Sequence, residues 1–165
     1  PRMTDADAIY PLADNPKLAT MTANIPSPYP LSAARAWIEH VTRRRQVAEV
    51  LAQVICQRDG GALMGVISLN QFRDGSANLA YWLGAPYWGQ GFCTEAGRQM
   101  LDIAFTQLGL QALTALHVDH NHASGRVLER LGFRFTETSR RDHRGETALF
   151  RCYRRSATGG VPSSP

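Results

Sequence analysis

Lysine is almost missing from this sequence: Lys17 is the only one among 18 basic residues. The net charge of +4 is therefore carried by arginine, whose planar fork suits phosphate and carboxylate groups. The longest basic run, Arg43-Arg44-Arg45, reads as a solvated helix end where cations suit the dipole, so nucleic acid is not an expected partner. No apolar run approaches the length that crosses a bilayer, and no membrane partner is expected. Cysteine is scarce and odd in number, with Cys56, Cys93 and Cys152 at no metal-site spacing. That excludes a disulfide framework, gives no reason to expect a metal, and points to a cytoplasmic protein. No repeat is present, and 165 residues suit one domain with a proper core.

What is present concentrates between Tyr81 and Ala96. Asn78 to Trp82 alternates and carries aromatics, which is a strand pattern. Leu101, Ala104, Phe105 and Leu108 recur at helical spacing, and Gly109 is placed to end that helix. Between strand and helix stands Gly89-Gln90-Gly91. A glycine turn feeding a helix N-terminus presents free N–H groups, and the dipole favours an anion there. The dinucleotide fingerprint fails for want of its third glycine and its acidic residue after the next strand. The Walker pattern fails because no Gly-Lys-Ser/Thr follows.

The longer string Tyr87-Trp88-Gly89-Gln90-Gly91-Phe92-Cys93-Thr94-Glu95-Ala96 resembles the acetyl-coenzyme A pyrophosphate loop of the GNAT superfamily of N-acetyltransferases, in the RimJ/RimL branch that acetylates ribosomal-protein N-termini. A second matching string, Asn121-His122-Ala123-Ser124-Gly125-Arg126-Val127-Leu128-Glu129-Arg130-Leu131-Gly132-Phe133, follows at the expected distance. The resemblance covers Pro1 to Arg155 and implies a GNAT fold of mixed α+β class. That fold has a twisted, mostly antiparallel sheet flanked by about four helices. Two strands, ending near Leu83 and beginning near Ala112, would splay into a V that holds the pantetheine arm against backbone near Trp82 and Leu83. Acetyl-coenzyme A is the implied cosubstrate, an amine-bearing protein or small molecule the acceptor, and a monomer or homodimer the assembly.

In chain order, Pro1 to Met3 reads as the tail of a strand and Thr4 to Leu12 as a short helix capped by Thr4 or Asp5. Pro16, Pro26, Pro28 and Pro30 forbid a long helix between Asp14 and Leu31. Ser32 is expected to cap a helix to Arg44 with Ala36, Trp37 and Val41 as its apolar stripe. Strands are expected at Val47–Arg58 and Ala62–Phe72, joined by Asp59-Gly60-Gly61, and at Ala77–Leu83. The central helix is placed at Thr94–Leu108, a strand at Ala112–Val118 and a helix at His122–Leu131. Final strands at Phe133–Thr138 and Glu146–Tyr153 flank a polar link, Ser139 to Gly145. Residues 1–155 form one domain in this reading. Residues 156–165, low in apolar mass, are a disordered tail.

By the resemblance, Trp82, Leu83, Trp88, Gly89, Gln90, Gly91, Phe92, Cys93 and Thr94 hold the coenzyme, joined by Asn121, Ser124 and Arg126. Ser124 is also the expected acid for the departing thiolate; a hydroxyl that caps its helix is the alternative. An α-amino group titrates near ~8 and a lysine near ~10.4, so the acceptor must lose a proton. Many relatives carry a glutamate where this chain has Asn78, which cannot accept one. Asp142 and His143 in the last link are the substitutes, with Glu39 or a water chain as further routes. His117, His120 and His122 are expected on a loop lip without metal, and Cys93 as a small packing residue. Two functions stay open: an N-acetyltransferase acting on a primary amine in a ternary complex, and a non-catalytic acyl-coenzyme A sensor.

Overall fold

A computed structural model describes residues 1–59 and 61–157. Its elements are α1 (Ala6–Ala13), α2 (Pro16–Met21), α3 (Leu31–Gln46), β1 (Val50–Cys56), β2 (Leu63–Arg73), β3 (Ser76–Leu83), α4 (Phe92–Asp102), β4 (Ala112–Val118), α5 (His122–Arg130), β5 (Arg134–His143) and β6 (Glu146–Ser156). One π-turn, Ile103–Gln107, extends α4 until Gly109 takes φ 63° and stops it. The strands form one sheet in the order β1-β2-β3-β4-β6-β5. Every pairing is antiparallel except β3 with β4. This is the mixed α+β sheet the sequence implies.

The parallel pair is brief. Ser76, Ala77 and Asn78 lie beside Ala112, Leu113 and Thr114, and there the pairing stops. Beyond it Leu79–Leu83 and Ala115–Val118 diverge, which opens the V between the two halves of the sheet. Strand alternation gives the sheet two faces. Leu79, Leu83, Leu113 and Ala115 point to one and pack against Met100, Leu101, Leu128 and Leu131 of α4 and α5. On the opposite face Trp82 packs with α1, α2 and α3 through Ile9, Leu18 and Ile38.

Several boundaries differ from expectation for identifiable reasons. Pro1 to Met3 is not strand: Met3–Asp5 forms a 3-10 turn, and the Asp5 carboxylate accepts from Arg2 N–H at 2.6 Å. The proline-rich segment still holds a helix, α2, because Pro16 sits at its first position and Asn15 Oδ1 accepts from Lys17 and Leu18 N–H. Helix α3 begins a residue before Ser32, and it buries Ala34, Ile38 and Val41 while Ala36 faces solvent. The largest difference is the last link. Strand β5 continues through Ser139–His143, paired residue by residue with Glu146–Phe150, and only Arg144 and Gly145 turn. Two-residue turns with positive φ, here 61° and 82°, let polar residues stay in a ladder that composition alone reads as loop. Strand β6 reaches Ser156, and Ala157 N–H donates to the Gln111 carbonyl at 2.8 Å. Gly60 of the expected first turn, and the tail from residue 158 on, lie outside the described residues.

Candidate active site

The wide end of the V is closed by the glycine turn. Gly89 and Gly91 have φ 75° and 86°, and a Cβ at either would meet nothing within 4 Å. Gly91 is the N-cap of α4, so the N–H groups of Phe92 and Cys93 lack helical acceptors. Thr94, on the same turn, is 6% exposed, and its Oγ1 is buried without a hydrogen-bond partner. Positive φ, open space beyond the glycines, free N–H groups and an orphaned hydroxyl together fit a bound phosphate. Gln90 closes the turn on itself, donating to the Pro86 carbonyl at 2.8 Å. Trp88 braces it from below: its indole N–H donates to the Leu83 carbonyl at 2.7 Å, and Lys17 Nζ lies 5.7 Å from its ring.

Along the V, Thr114 Oγ1 reaches the Ala77 carbonyl at 3.4 Å, which fixes the parity of the edge. Backbone groups of Leu79, Tyr81 and Leu83 therefore aim into the gap, while those of Trp82 face β2. Trp82 was expected to offer its backbone to the ligand; alternation turns its N–H and carbonyl toward β2, and those of Tyr81 toward the gap.

Cys93 is half-buried beside this edge, and burial pushes its thiol up to about 12. A thiol held protonated is a packing residue and a poor nucleophile. Its neighbour Tyr81 has its phenol pushed upward by burial, against the opposing pull of a hydrogen bond to Ser124. Tyr81 OH lies 2.9 Å from Ser124 Oγ and 3.1 Å from the Ser124 carbonyl. This contact joins β3 to α5 across the gap.

Asn121 is the N-cap of α5, and its Oδ1 accepts from Ser124 N–H at 3.2 Å. Its Nδ2 donates to the Met21 carbonyl at 3.3 Å and so ties α5 to the end of α2. Arg126 is exposed on the same helix. His117 is not on a loop lip: it is a buried β4 residue at 5% exposure, stacked on Tyr153 at 5.4 Å. Its Nδ1–H donates to the Val118 carbonyl at 2.8 Å, and burial lowers its pKa. His120 and His122 are exposed, and among the described residues no group of three His, Cys, Asp or Glu side chains gathers at metal-binding range.

Asp142 and His143 are separated by the strand they share. Their partners are Thr147 and Glu146, and neighbours on a strand face opposite ways. Register through Arg154 and Thr114 puts His143 on the same face as Asn78, the face of α1 to α3. Asp142 is exposed on the other. His143 Nε2 lies 3.3 Å from the Thr20 carbonyl, which can only accept, so the neutral ring carries its proton there. Its Nδ1 is left bare, buried and unpartnered, with the ring edge-on to Phe150 at 5.7 Å. Next to it the Arg144 guanidinium donates to the carbonyls of Ala19, at 2.7 Å, and Ile25. The β5–β6 tip is thus clamped to the segment carrying α2. Asn78 itself donates to Asn70 Oδ1 at 3.3 Å. Glu39 is exposed on α3.

Sequence reasoning missed Tyr81 and Arg144. Tyr81 was legible only as a strand aromatic, though it is two residues from Leu83 and so on the same edge. Arg144 was hidden inside the presumed loop.

The family model for the acetyltransferase (GNAT) domain matches residues 1–134. Among curated proteins, the uncharacterized N-acetyltransferase p20 of Bacillus licheniformis is 27% identical over 133 residues, covering 79% of this chain and 74% of p20. Among solved structures, Mycobacterium smegmatis RimJ in complex with CoA-disulfide superposes with TM-score 0.86 at 23% identity, over 95% of this chain and 79% of that one. RimL, a ribosomal L7/L12 α-N-protein acetyltransferase solved with coenzyme A, gives TM-score 0.83 at 18% identity over 94% and 90%. The chain belongs to the GNAT acetyltransferase family, whose members draw their acetyl group from acetyl-coenzyme A, and within that family it resembles the RimJ/RimL branch.

Proposed function

We propose that the protein transfers acetyl from acetyl-coenzyme A to a primary amine, a protein N-terminal α-amino group or a small amine, by direct attack in a ternary complex. The observation that carries this reading is the V between β3 and β4 with a phosphate cradle at its wide end and the Tyr81–Ser124 hydroxyl pair along its side. Residues 88–94 receive the pyrophosphate, and the pantetheine amides pair with the free edge of β3 at Tyr81 and Leu83. Asn121 holds the start of α5 in place beside the arm, and Arg126 reaches a phosphate from the same helix.

Catalysis follows from the two faces. The amine arrives on the face of Asn78 and His143, gives up a proton, and attacks the thioester carbonyl. Backbone N–H of the splayed strand stabilises the oxyanion in a water-poor gap. The thiolate departs toward the other face, where Ser124 returns a proton and Tyr81 orients the serine. Of the two expected bases only His143 is on that face; its strand partner Glu146 lies eight β6 residues from Arg154, so in this reading the proton reaches its bare Nδ1 through water. Asp142, on the opposite face, has no path to the same amine. Alignment of the two substrates supplies much of the rate. Residues 1–155 act as one acetyltransferase domain. The three free cysteines agree with a cytoplasmic setting, and no helix among the described residues is long and apolar enough to cross a membrane.

The test is calorimetric titration with acetyl-coenzyme A, followed by free-thiol release across a panel of amines and N-terminal peptides. Binding with release establishes the transferase; no binding removes the cradle assignment. The sensor reading keeps one specific support, the amide at Asn78 bonded to Asn70. It requires tight coenzyme binding with no release from any acceptor.

A further inference from the structure

We propose that the acceptor carries a carboxylate near its amine, received by Arg141 and Arg154 in a recess at the closed end of the V. This rests on the acetyltransferase reading above.

The recess measures about 290 Å³ and opens where β3 and β4 part. Asn78 and Thr114, the last paired residues, form its inner edge, and Cys152 lies across from them. Register puts Asn78, Thr114, Cys152 and Arg154 on one face, the face of His143. A pantetheine arm entering from the cradle at the wide end runs toward this narrow end, so an amine that meets the thioester stands at the mouth of the recess. Whatever else the acceptor carries beside that amine falls inside it.

Arginine outnumbers carboxylate there, two to one. Arg141 folds back along β5: its Nε donates to Ser139 Oγ at 3.3 Å and its Nη2 lies 3.9 Å from Cys152 Sγ. That places its guanidinium over Cys152, two residues along β6 from Arg154. Neither arginine is in an ion pair among the described residues. Glu137 is the one carboxylate lining the recess, and the inner edge is neutral amide and hydroxyl. Two unpaired guanidinium groups repel a polycation and bind a carboxylate in a planar, doubly hydrogen-bonded fork. Of the amines open to the enzyme, polyamines and aminoglycosides therefore fit poorly. A free amino acid, or an N-terminus followed by an acidic residue, fits well.

The experiment measures thiol release from acetyl-coenzyme A with four acceptors: an Ala-Glu-Asp peptide, its Ala-Lys-Lys counterpart, free glutamate and spermidine. All peptides are C-terminally amidated, and a neutral Ala-Gln-Asn peptide serves as reference. A carboxylate-bearing acceptor should lead the two cationic ones by about tenfold or more in kcat/KM, from the extra strength of charged hydrogen bonds. Peptide against free glutamate tells which source supplies the carboxylate. Arg141→Gln and Arg154→Gln should each lower the acidic-to-neutral ratio by about tenfold through KM, with coenzyme affinity unchanged. A preference for spermidine or the basic peptide overturns the proposal, as does an acidic-to-neutral ratio that neither variant changes. Thiol release from no acceptor, with coenzyme bound, removes the acetyltransfer reading itself and this proposal with it.

Discussion

The Tyr81 phenol and the Ser124 hydroxyl stand 2.9 Å apart, one on β3 and the other on α5, with the open edge of the sheet between them. The phenol has a single proton. Directed to the Ser124 carbonyl, it leaves the phenol oxygen to accept from the serine; directed to Oγ, it frees the serine proton for a thiolate in the gap. Tyr81→Phe keeps the packing and removes this choice. We expect kcat to fall by about tenfold, less than the ~100-fold or more of a general acid itself because Tyr81 acts through Ser124, with coenzyme affinity unchanged. Combined with Ser124→Ala it should add little, since both act on one proton. Full kcat in Tyr81→Phe would reduce the pair to a structural tie.

Gly91→Val should abolish detectable coenzyme binding. The branched side chain would enter the open space above the turn at a backbone φ of 86°, a conformation that branched residues resist. Calorimetry on a variant whose circular dichroism melt remains cooperative checks it. Unchanged affinity would leave the turn with no ligand role.

Arg144→Met removes the donor that two carbonyls of the α2 segment share. The clamp on that segment should loosen, raising acceptor KM several-fold while coenzyme affinity holds. A coenzyme affinity that falls together with acceptor KM would show that the clamp serves the whole V.

Gly65→Ala is a stability test, at the strand partner of Leu83. A Cβ there would lie 2.1 Å from the Trp82 carbonyl oxygen, a backbone atom that cannot step aside. Overpacking of this kind costs about 1–3 kcal/mol, and more where backbone is the obstacle. Chemical denaturation should register a loss in that range or beyond it; a loss under about 0.5 kcal/mol, the scale of surface changes, would contradict the close approach.

His117 makes stability depend on pH. Its folded pKa is lowered, chiefly by burial, so the folded state binds fewer protons than the unfolded chain below about 6.5. The contribution is complete above that pH and is lost as pH falls toward the folded pKa. Melting temperature should drop between pH 7 and 5 in the native sequence and drop less in His117→Gln. Parallel curves would assign the acid sensitivity elsewhere.

Most of the architecture was legible because it depends on local signals. The glycines of the cradle, the proline block before α3 and the alternation of β3 each announce a backbone conformation. The strand expected at Ala112–Val118 has those ends in the folded chain. The β5–β6 hairpin was not legible, since Ser139-Arg-Arg-Asp-His143 has the composition of a loop and is held in a strand by pairing to a partner that sequence does not name. The same hidden pairing kept the two expected base candidates, Asp142 and His143, together on paper and apart in space. Asn121 was expected to contact the ligand, with a cap as the lesser alternative, and in the folded chain its side chain is engaged with Ser124 and Met21. Ser124 was found through its string, but its partner Tyr81 was not, because contacts between residues 43 apart leave no trace in spacing.

The seam between the half-sheets has a mechanical side. Three residue pairs, Ser76–Asn78 with Ala112–Thr114, join them directly. A pantetheine arm laid between the strands would act as mortar as well as cargo, bonding each half to the ligand where the halves cannot reach each other. On this reading each turnover loosens and resets the joint, and the protein is at its stiffest while it holds what it is about to give away.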